Sequence, residues 1–114
     1  MRLLSTDYER VAPDFVLTEF AQVVLKRVRV GAVSIADGRR DSVLLSSMVK
    51  LIESPLLVPG ALEIAYRFQR SIYDSLYVCL ALREQCQLVT ADLRLYNALS
   101  RDLPETMLWV GDIS

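Results

Sequence analysis

Short apolar segments alternate along this chain with longer segments of helical periodicity, and proline, glycine or serine separates many of them. Strands that alternate with helices usually pair in parallel through right-handed crossovers, so this order predicts an α/β fold with a parallel sheet. A chain of 114 residues has the usual size of one domain, and we take residues 1–114 as a single unit. The predicted strands are 10–12, 55–59, 87–90 and 107–110.

Capping residues and apolar spacing predict where the helices lie. The first runs from Pro13 to about Val30 and stops at Gly31. Ser34, followed by Asp37, caps a second helix, and further helices are predicted over 61–69, from Ser71 onward and through Leu95 and Leu99. The second helix is expected to reach about Glu53 and to turn Leu44, Leu45, Met48 and Leu51 toward the core.

Composition and charge narrow the class of protein. Hydrophobic residues make up 53% of the chain, which is enough for a core, yet no apolar run reaches membrane-spanning length. Cys79 and Cys86 are expected to be free thiols in a reducing compartment, which predicts a cytoplasmic protein. The chain has no histidine, so Ser-His-Asp and Cys-His catalysis are excluded, and an enzyme here must use carboxylates, a metal, or both.

Three acidic residues occupy positions where chemistry is common. Glu19 lies inside an apolar helix, Asp74 opens a helix, and Asp92 follows the strand that ends at Thr90. Helix starts and strand ends meet at the carboxyl edge of a parallel sheet, where such folds bind ligands. We therefore expect the three carboxylates to converge at that edge. Carboxylates that gather need a cation, and an oxygen-only set suits Mg²⁺ or Mn²⁺.

The segments around these acids resemble those of the PIN-domain family. Ala12-Pro13 followed by Glu19 is similar to the family's "AP-x-x-x-x-E" segment. The segment 72–77, which continues into Leu80-Ala81, and the segment 88–92 resemble the "YDA-x-Y-x-x-LA … LVTAD" core, with Asp92 eighteen positions after Asp74. The likeness covers essentially the whole chain and is greatest to VapC-like toxins of prokaryotic toxin–antitoxin pairs.

The resemblance implies a Mg²⁺- or Mn²⁺-dependent ribonuclease, usually a homodimer and often inhibited by an antitoxin protein. Glu19, Asp74 and Asp92 would be metal ligands or their supports, and Thr90 would orient the site or the phosphate. The implied reaction is metal-assisted hydrolysis of an RNA phosphodiester bond. The alternative is a non-catalytic PIN-like remnant that serves as a dimerisation or antitoxin-binding module.

The N-terminus departs from the family pattern. Family members begin with a strand that ends in a metal-binding aspartate, whereas Met1–Leu4 is similar to the tail of the helix that follows that strand. A misplaced start codon, a decayed gene copy, or another chain or strand in the gap would each account for this, and upstream DNA would discriminate. We expect a vacancy or a foreign strand at the sheet centre, and feeble RNA cleavage or none by this chain alone.

Each candidate residue also has a purely structural interpretation. Asp74 can serve the helix dipole, Asp92 can cap the next helix, and Glu19 can pair along its own helix surface. Thr90 can be an ordinary strand residue. Tyr73 and Tyr77 could stack on a base, although their four-residue spacing favours core packing. Exposed basic clusters such as Arg39-Arg40 are usually solvated faces.

Overall fold

A computed structural model describes residues 3–6, 9–90 and 92–109, the segment 3–6 and Glu9 by their backbone alone. Its strands form one sheet in the order β3-β2-β1-β4-β5. β1 pairs antiparallel with both β2 and β4, while β2 with β3 and β4 with β5 form parallel pairs. The strands are β1 (Leu3–Thr6), β2 (Glu9–Pro13), β3 (Lys50–Ile52), β4 (Gln87–Thr90) and β5 (Met107–Trp109).

The pairing confirms the α/β fold and shows which strands share a direction. Because β2 and β4 both run opposite to β1, they run the same way as each other, and β3 and β5 follow them. Four of the five described strands therefore end at one edge of the sheet. That common carboxyl edge is where the sequence places its candidate site.

The sheet centre corrects the interpretation of the N-terminus. Leu3–Thr6 is a strand, and the prediction that Met1–Leu4 resembles the tail of a helix is wrong for the two of those residues that the structure describes. Leu4 pairs with Val11 on one side and with Leu88 on the other, so β1 fills the position where we expected a vacancy or a foreign strand. The filling strand comes from the chain itself.

Backbone chemistry explains this arrangement. An empty position between β2 and β4 would leave two rows of N–H and C=O groups without partners, and buried backbone groups are almost always paired. Thr6 pairs with Glu9, so only two residues, which lie outside the described part, connect β1 to β2. A connection that short can join antiparallel strands only, because a parallel pair needs a long crossover.

Two helices begin at the predicted serine caps, whereas the first helix begins at Val16 and not at Pro13, which is the last residue of β2. Ser34 and Ser71 each accept a hydrogen bond from the backbone N–H three residues later, and Gly31, with φ of 79°, follows the first helix. The helices are α1 (Val16–Arg29), α2 (Ile35–Met48), α3 (Val58–Phe68), α4 (Ile72–Arg83) and α5 (Leu93–Leu99). α2 ends earlier than predicted, and Leu44 and Met48 are exposed rather than inward-facing.

The segment 55–59 is not a strand, which corrects a second prediction. Ser54–Leu56 forms a 3₁₀ turn, and α3 begins at Val58. Pro55 and Pro59 each occupy a first-turn position of a helical segment, where the missing N–H costs nothing. The third strand is Lys50–Ile52 instead, parallel to β2.

Helix α4 is the centre of the core. Its residues 75–78, 80 and 81 are buried, and it packs on β2, β4 and α3. α3 and α4 approach closely at Gly60, where a Cβ atom would lie 2.7 Å from the Cys79 Sγ atom and would require that side chain to shift. Because α4 is buried against the sheet, the residues of its first turn, among them Asp74, have a fixed position relative to the sheet. Within the described ranges we find no helix long and apolar enough to span a membrane.

Candidate active site

Glu19 is held by a residue from another helix. The Tyr77 hydroxyl donates a hydrogen bond of 2.5 Å to Glu19 Oε1. Tyr77 is fully buried and Glu19 is half-buried, so this contact joins α1 to the core helix α4. A hydrogen bond to a charged group contributes about 1.5–3 kcal/mol, which is enough to favour one orientation of the carboxylate. The structure therefore turns Glu19 toward α4.

Asp74 lies on the same helix as Tyr77, three residues before it. Its backbone N–H donates to Ser71 Oγ at 3.1 Å, which places Asp74 in the first turn of α4. Residues three apart on a helix are neighbours on its surface, with Cβ atoms about 5–6 Å apart. The start of α4 thus carries Asp74 next to the tyrosine that holds Glu19. The negative charge of a first-turn aspartate also interacts favourably with the positive end of the helix dipole, which agrees with the purely structural interpretation of Asp74.

Three aromatic rings pack beside these acids. Phe15, which precedes α1, contacts Tyr73 at 5.5 Å and Tyr77 at 5.3 Å between ring centroids, both in edge-to-face geometry. Such pairs contribute about 0.5–1.5 kcal/mol beyond their buried area. The start of α1 is further fixed because the Asp14 N–H donates to the Ile52 carbonyl at 2.9 Å.

Asp92 and Thr90 form a separate local unit after β4. The Asp92 N–H donates to Thr90 Oγ1 at 2.9 Å, and Asp92 Oδ1 accepts from the Leu95 N–H at 3.2 Å. Asp92 is therefore the N-cap of α5, as its structural interpretation predicted. A carboxylate has about four lone-pair sites, so one capping bond leaves it able to accept other groups. Thr90 is buried and positions the backbone of Asp92.

The sheet places these two units at the same edge. Glu19 follows β2 and Asp92 follows β4, and both strands end at the carboxyl edge. β1 separates them, so the strand axes lie about 10 Å apart, twice the usual spacing. The described contacts bring Glu19 to the start of α4 but join Asp92 to neither Glu19 nor Asp74. Convergence of all three carboxylates stays a prediction.

The chemistry of these side chains suits a hard divalent cation, but their grouping does not make a complete site. Over the described ranges, no three acidic, cysteine or histidine side chains lie close enough together to hold a metal ion. The oxygen donors of Glu19, Asp74 and Asp92 are of the right kind, and the structure does not assemble them into a cage. Their assignment as metal ligands, with Thr90 beside them, is accordingly a prediction.

The sequence did not predict the hydrogen bond between Tyr77 and Glu19. Their positions are 58 apart, and neither local spacing nor composition indicates that they meet. The Ser54 hydroxyl likewise donates to the Asp14 carboxylate across the ends of β2 and β3. The polar hydroxyl at the end of an otherwise apolar ring was the only available signal, because a buried tyrosine hydroxyl usually finds a partner.

The basic cluster Arg39-Arg40 lies on an exposed part of α2. Arg40 pairs with Asp37 at 3.1 Å, and its Nε lies 3.8 Å from Asp41, all on the exposed face of α2. Exposed ion pairs of this kind contribute about 0–1 kcal/mol. The Arg39-Arg40 cluster is a solvated face, as predicted.

The fold is that of an α/β protein in which the segments carrying Glu19 and Asp92 follow strands that end at the carboxyl edge of the sheet, the edge at which such folds bind ligands. The chain belongs to the PIN-domain family, whose sequence model matches residues 1–99. PIN domains are generally nucleases that need metal ions and act on RNA. A search of curated proteins found no match to this chain.

Proposed function

We propose that this protein is a metal-dependent ribonuclease of the VapC toxin type, which hydrolyses RNA phosphodiester bonds. Membership of the PIN-domain family carries the proposal. The topology supports it, since Glu19 and Asp92 both lie in PIN-like motifs and follow strands that end at the same edge of the sheet. The expected ion is Mg²⁺ or Mn²⁺, because carboxylate oxygens suit hard cations.

The roles of the candidate residues follow from their contacts. Glu19, on α1, and Asp74, in the first turn of α4, would each present a carboxylate, with Tyr77 keeping Glu19 oriented. Asp92 would supply a third carboxylate while capping α5, and Thr90 would hold its backbone in place. Each group is fixed by a helix end or a buried partner, and such support is what a precise site requires.

A non-catalytic role is the alternative. Large apolar side chains are exposed on α2 and α3, and where such side chains form a contiguous patch, the patch commonly binds another protein. This alternative makes the chain a module that dimerises or binds an antitoxin-like protein. The exposed apolar residues of α2 and α3 include Ile35, Val43, Leu44, Met48 and Leu62.

An RNA cleavage assay separates these proposals. Purified chain is incubated with unstructured RNA in Mg²⁺, in Mn²⁺ or in EDTA, and products are resolved by gel. The ribonuclease proposal expects slow cleavage in either metal and none in EDTA. Absence of metal-dependent cleavage by a folded protein would contradict it, and a dimer seen by light scattering in the same sample would then support the module.

A further inference from the structure

We propose that Tyr73 is a stacking platform for an unpaired base of single-stranded RNA, beside Asp74 in the first turn of α4. The inference rests on the proposed ribonuclease function and adds a residue that would position the RNA. Nothing in the family match assigns this residue. Its exposure, its fixed ring and its position next to Asp74 carry the argument, each from a different observation.

Exposure distinguishes the two tyrosines at the start of α4. Sequence spacing alone treated Tyr73 and Tyr77 alike, as core residues or as stacking residues. In the structure Tyr77 is fully buried, whereas Tyr73 is 59% exposed. Tyr77 is therefore a core residue, and its hydroxyl is committed to Glu19. Tyr73 presents most of its surface to solvent and has the access that a base would need.

The ring of Tyr73 is exposed but also anchored. Phe15 packs against it with an angle of 74° between the ring planes. An aromatic ring held on one side loses less conformational freedom when it binds than a freely rotating one does. Phe15 is itself fixed by its contact with Tyr77. The three rings form a chain of contacts from the core to the surface.

The position of Tyr73 links this surface ring to the candidate site. Tyr73 directly precedes Asp74, and the ring chain through Phe15 reaches Tyr77, which binds Glu19. An RNA strand whose phosphate approaches Glu19 and Asp74 would bring a neighbouring base close to the Tyr73 ring. Stacking there would orient the strand without selecting its sequence, because every base has a π-face.

The chemistry of stacking restricts the ligand to unpaired nucleotides. Bases inside an RNA duplex already stack on each other and cannot reach a surface ring, whereas single-stranded bases can. The contact needs the ring and not the phenol hydroxyl, so phenylalanine should replace tyrosine. Single-stranded DNA offers the same π-faces and lacks only the 2′-hydroxyl, so it serves as a comparison.

Binding is measured without cleavage. Fluorescence anisotropy follows a labelled oligouridylate titrated with the full chain in EDTA, which removes any role of metal. Tyr73→Ala should weaken binding roughly 5- to 100-fold, the usual cost of losing one base stack. Tyr73→Phe should bind like wild type. The matched control is Tyr66→Ala, which removes a tyrosine that is 82% exposed on α3, and it should leave affinity unchanged.

Several results would overturn the proposal. Equal affinity of Tyr73→Ala and wild type, an equal loss in Tyr73→Phe, or no binding by the wild-type chain would each do so. Tighter binding of the matched oligothymidylate would overturn the assignment to RNA. Thermal unfolding of each variant checks that the fold is kept. If RNA binding depends on Tyr73 but no metal-dependent cleavage occurs, the ribonuclease proposal is refuted and the stacking site is kept. If cleavage occurs but binding does not depend on Tyr73, the stacking site is refuted and the ribonuclease proposal is kept.

Discussion

Replacement of Ser75 by alanine should stabilise this protein. Ser75 is fully buried in the first turn of α4, and its hydroxyl has no hydrogen-bond partner in the part of the chain that the structure describes. A buried polar group without a partner costs about 1–3 kcal/mol, and alanine removes that cost. Alanine also improves helix propensity by about 0.5 kcal/mol. The vacated space of one oxygen atom offsets part of the gain, so we expect Ser75→Ala to add about 1–2 kcal/mol to the free energy of unfolding.

Ser42→Ala is the matched control for this prediction. Ser42 is also a helical serine, but its hydroxyl donates to the Gly38 carbonyl at 2.9 Å. Its replacement gains the same propensity and loses a hydrogen bond of about 1 kcal/mol, so stability should stay constant or fall slightly. Urea unfolding followed by circular dichroism measures both variants. If Ser75→Ala proves no more stable than Ser42→Ala, the Ser75 hydroxyl is satisfied and the reasoning is refuted.

Two further predictions concern the hydrogen bond of Tyr77 and the free cysteines. Tyr77→Phe should lower the free energy of unfolding by about 1–3 kcal/mol, because a hydrogen bond to the Glu19 carboxylate is lost. In a Glu19→Gln background the same replacement should cost less, and additive effects of the two replacements would contradict the contact. Burial raises the pKa of the Cys79 and Cys86 thiols above the ordinary value of a thiol, so alkylation of the folded protein should be slower than in urea at the same pH and should accelerate as pH rises. Equal rates in both states would refute this.

The same shift has a consequence for stability. Both thiols are neutral in either state well below pH 9, so they contribute no pH dependence there. Above pH 9 the unfolded chain loses these protons first, which favours unfolding, so their contribution to stability falls as pH rises.

Local sequence rules predicted the parts of the fold that local chemistry decides. The caps at Ser34 and Ser71 depend on segments of four residues, and both were confirmed. The strand Gln87–Thr90 was also confirmed, as a short apolar run that ends before Asp92. The prediction of a strand at 55–59 was wrong. A short apolar run between prolines fits either a strand or the start of a helix, and only the surrounding packing decides which of them forms.

Non-local contacts explain what sequence reasoning could not reach. β1 (Leu3–Thr6) pairs with both β2 and β4, and this pairing makes it a strand. Its own sequence did not predict a strand. The bond between Glu19 and Tyr77 closes over 58 positions. The edge of the sheet at which the candidate residues follow their strands could be predicted, because parallel strands all end at the same edge. Whether Asp92 meets the other two acids depends on packing that no motif specifies.

The central claim is that Asp74 and Asp92 serve RNA hydrolysis, and the direct test is the metal-dependent cleavage rate of their asparagine variants. Asparagine caps a helix as well as aspartate does, so Asp92→Asn keeps the α5 cap and removes only charge. Asp37→Asn, in the first turn of α2, is the matched control. We predict that Asp74→Asn and Asp92→Asn each lose at least about 10- to 100-fold in rate while Asp37→Asn loses nothing. Equal rates in all three variants would contradict the account.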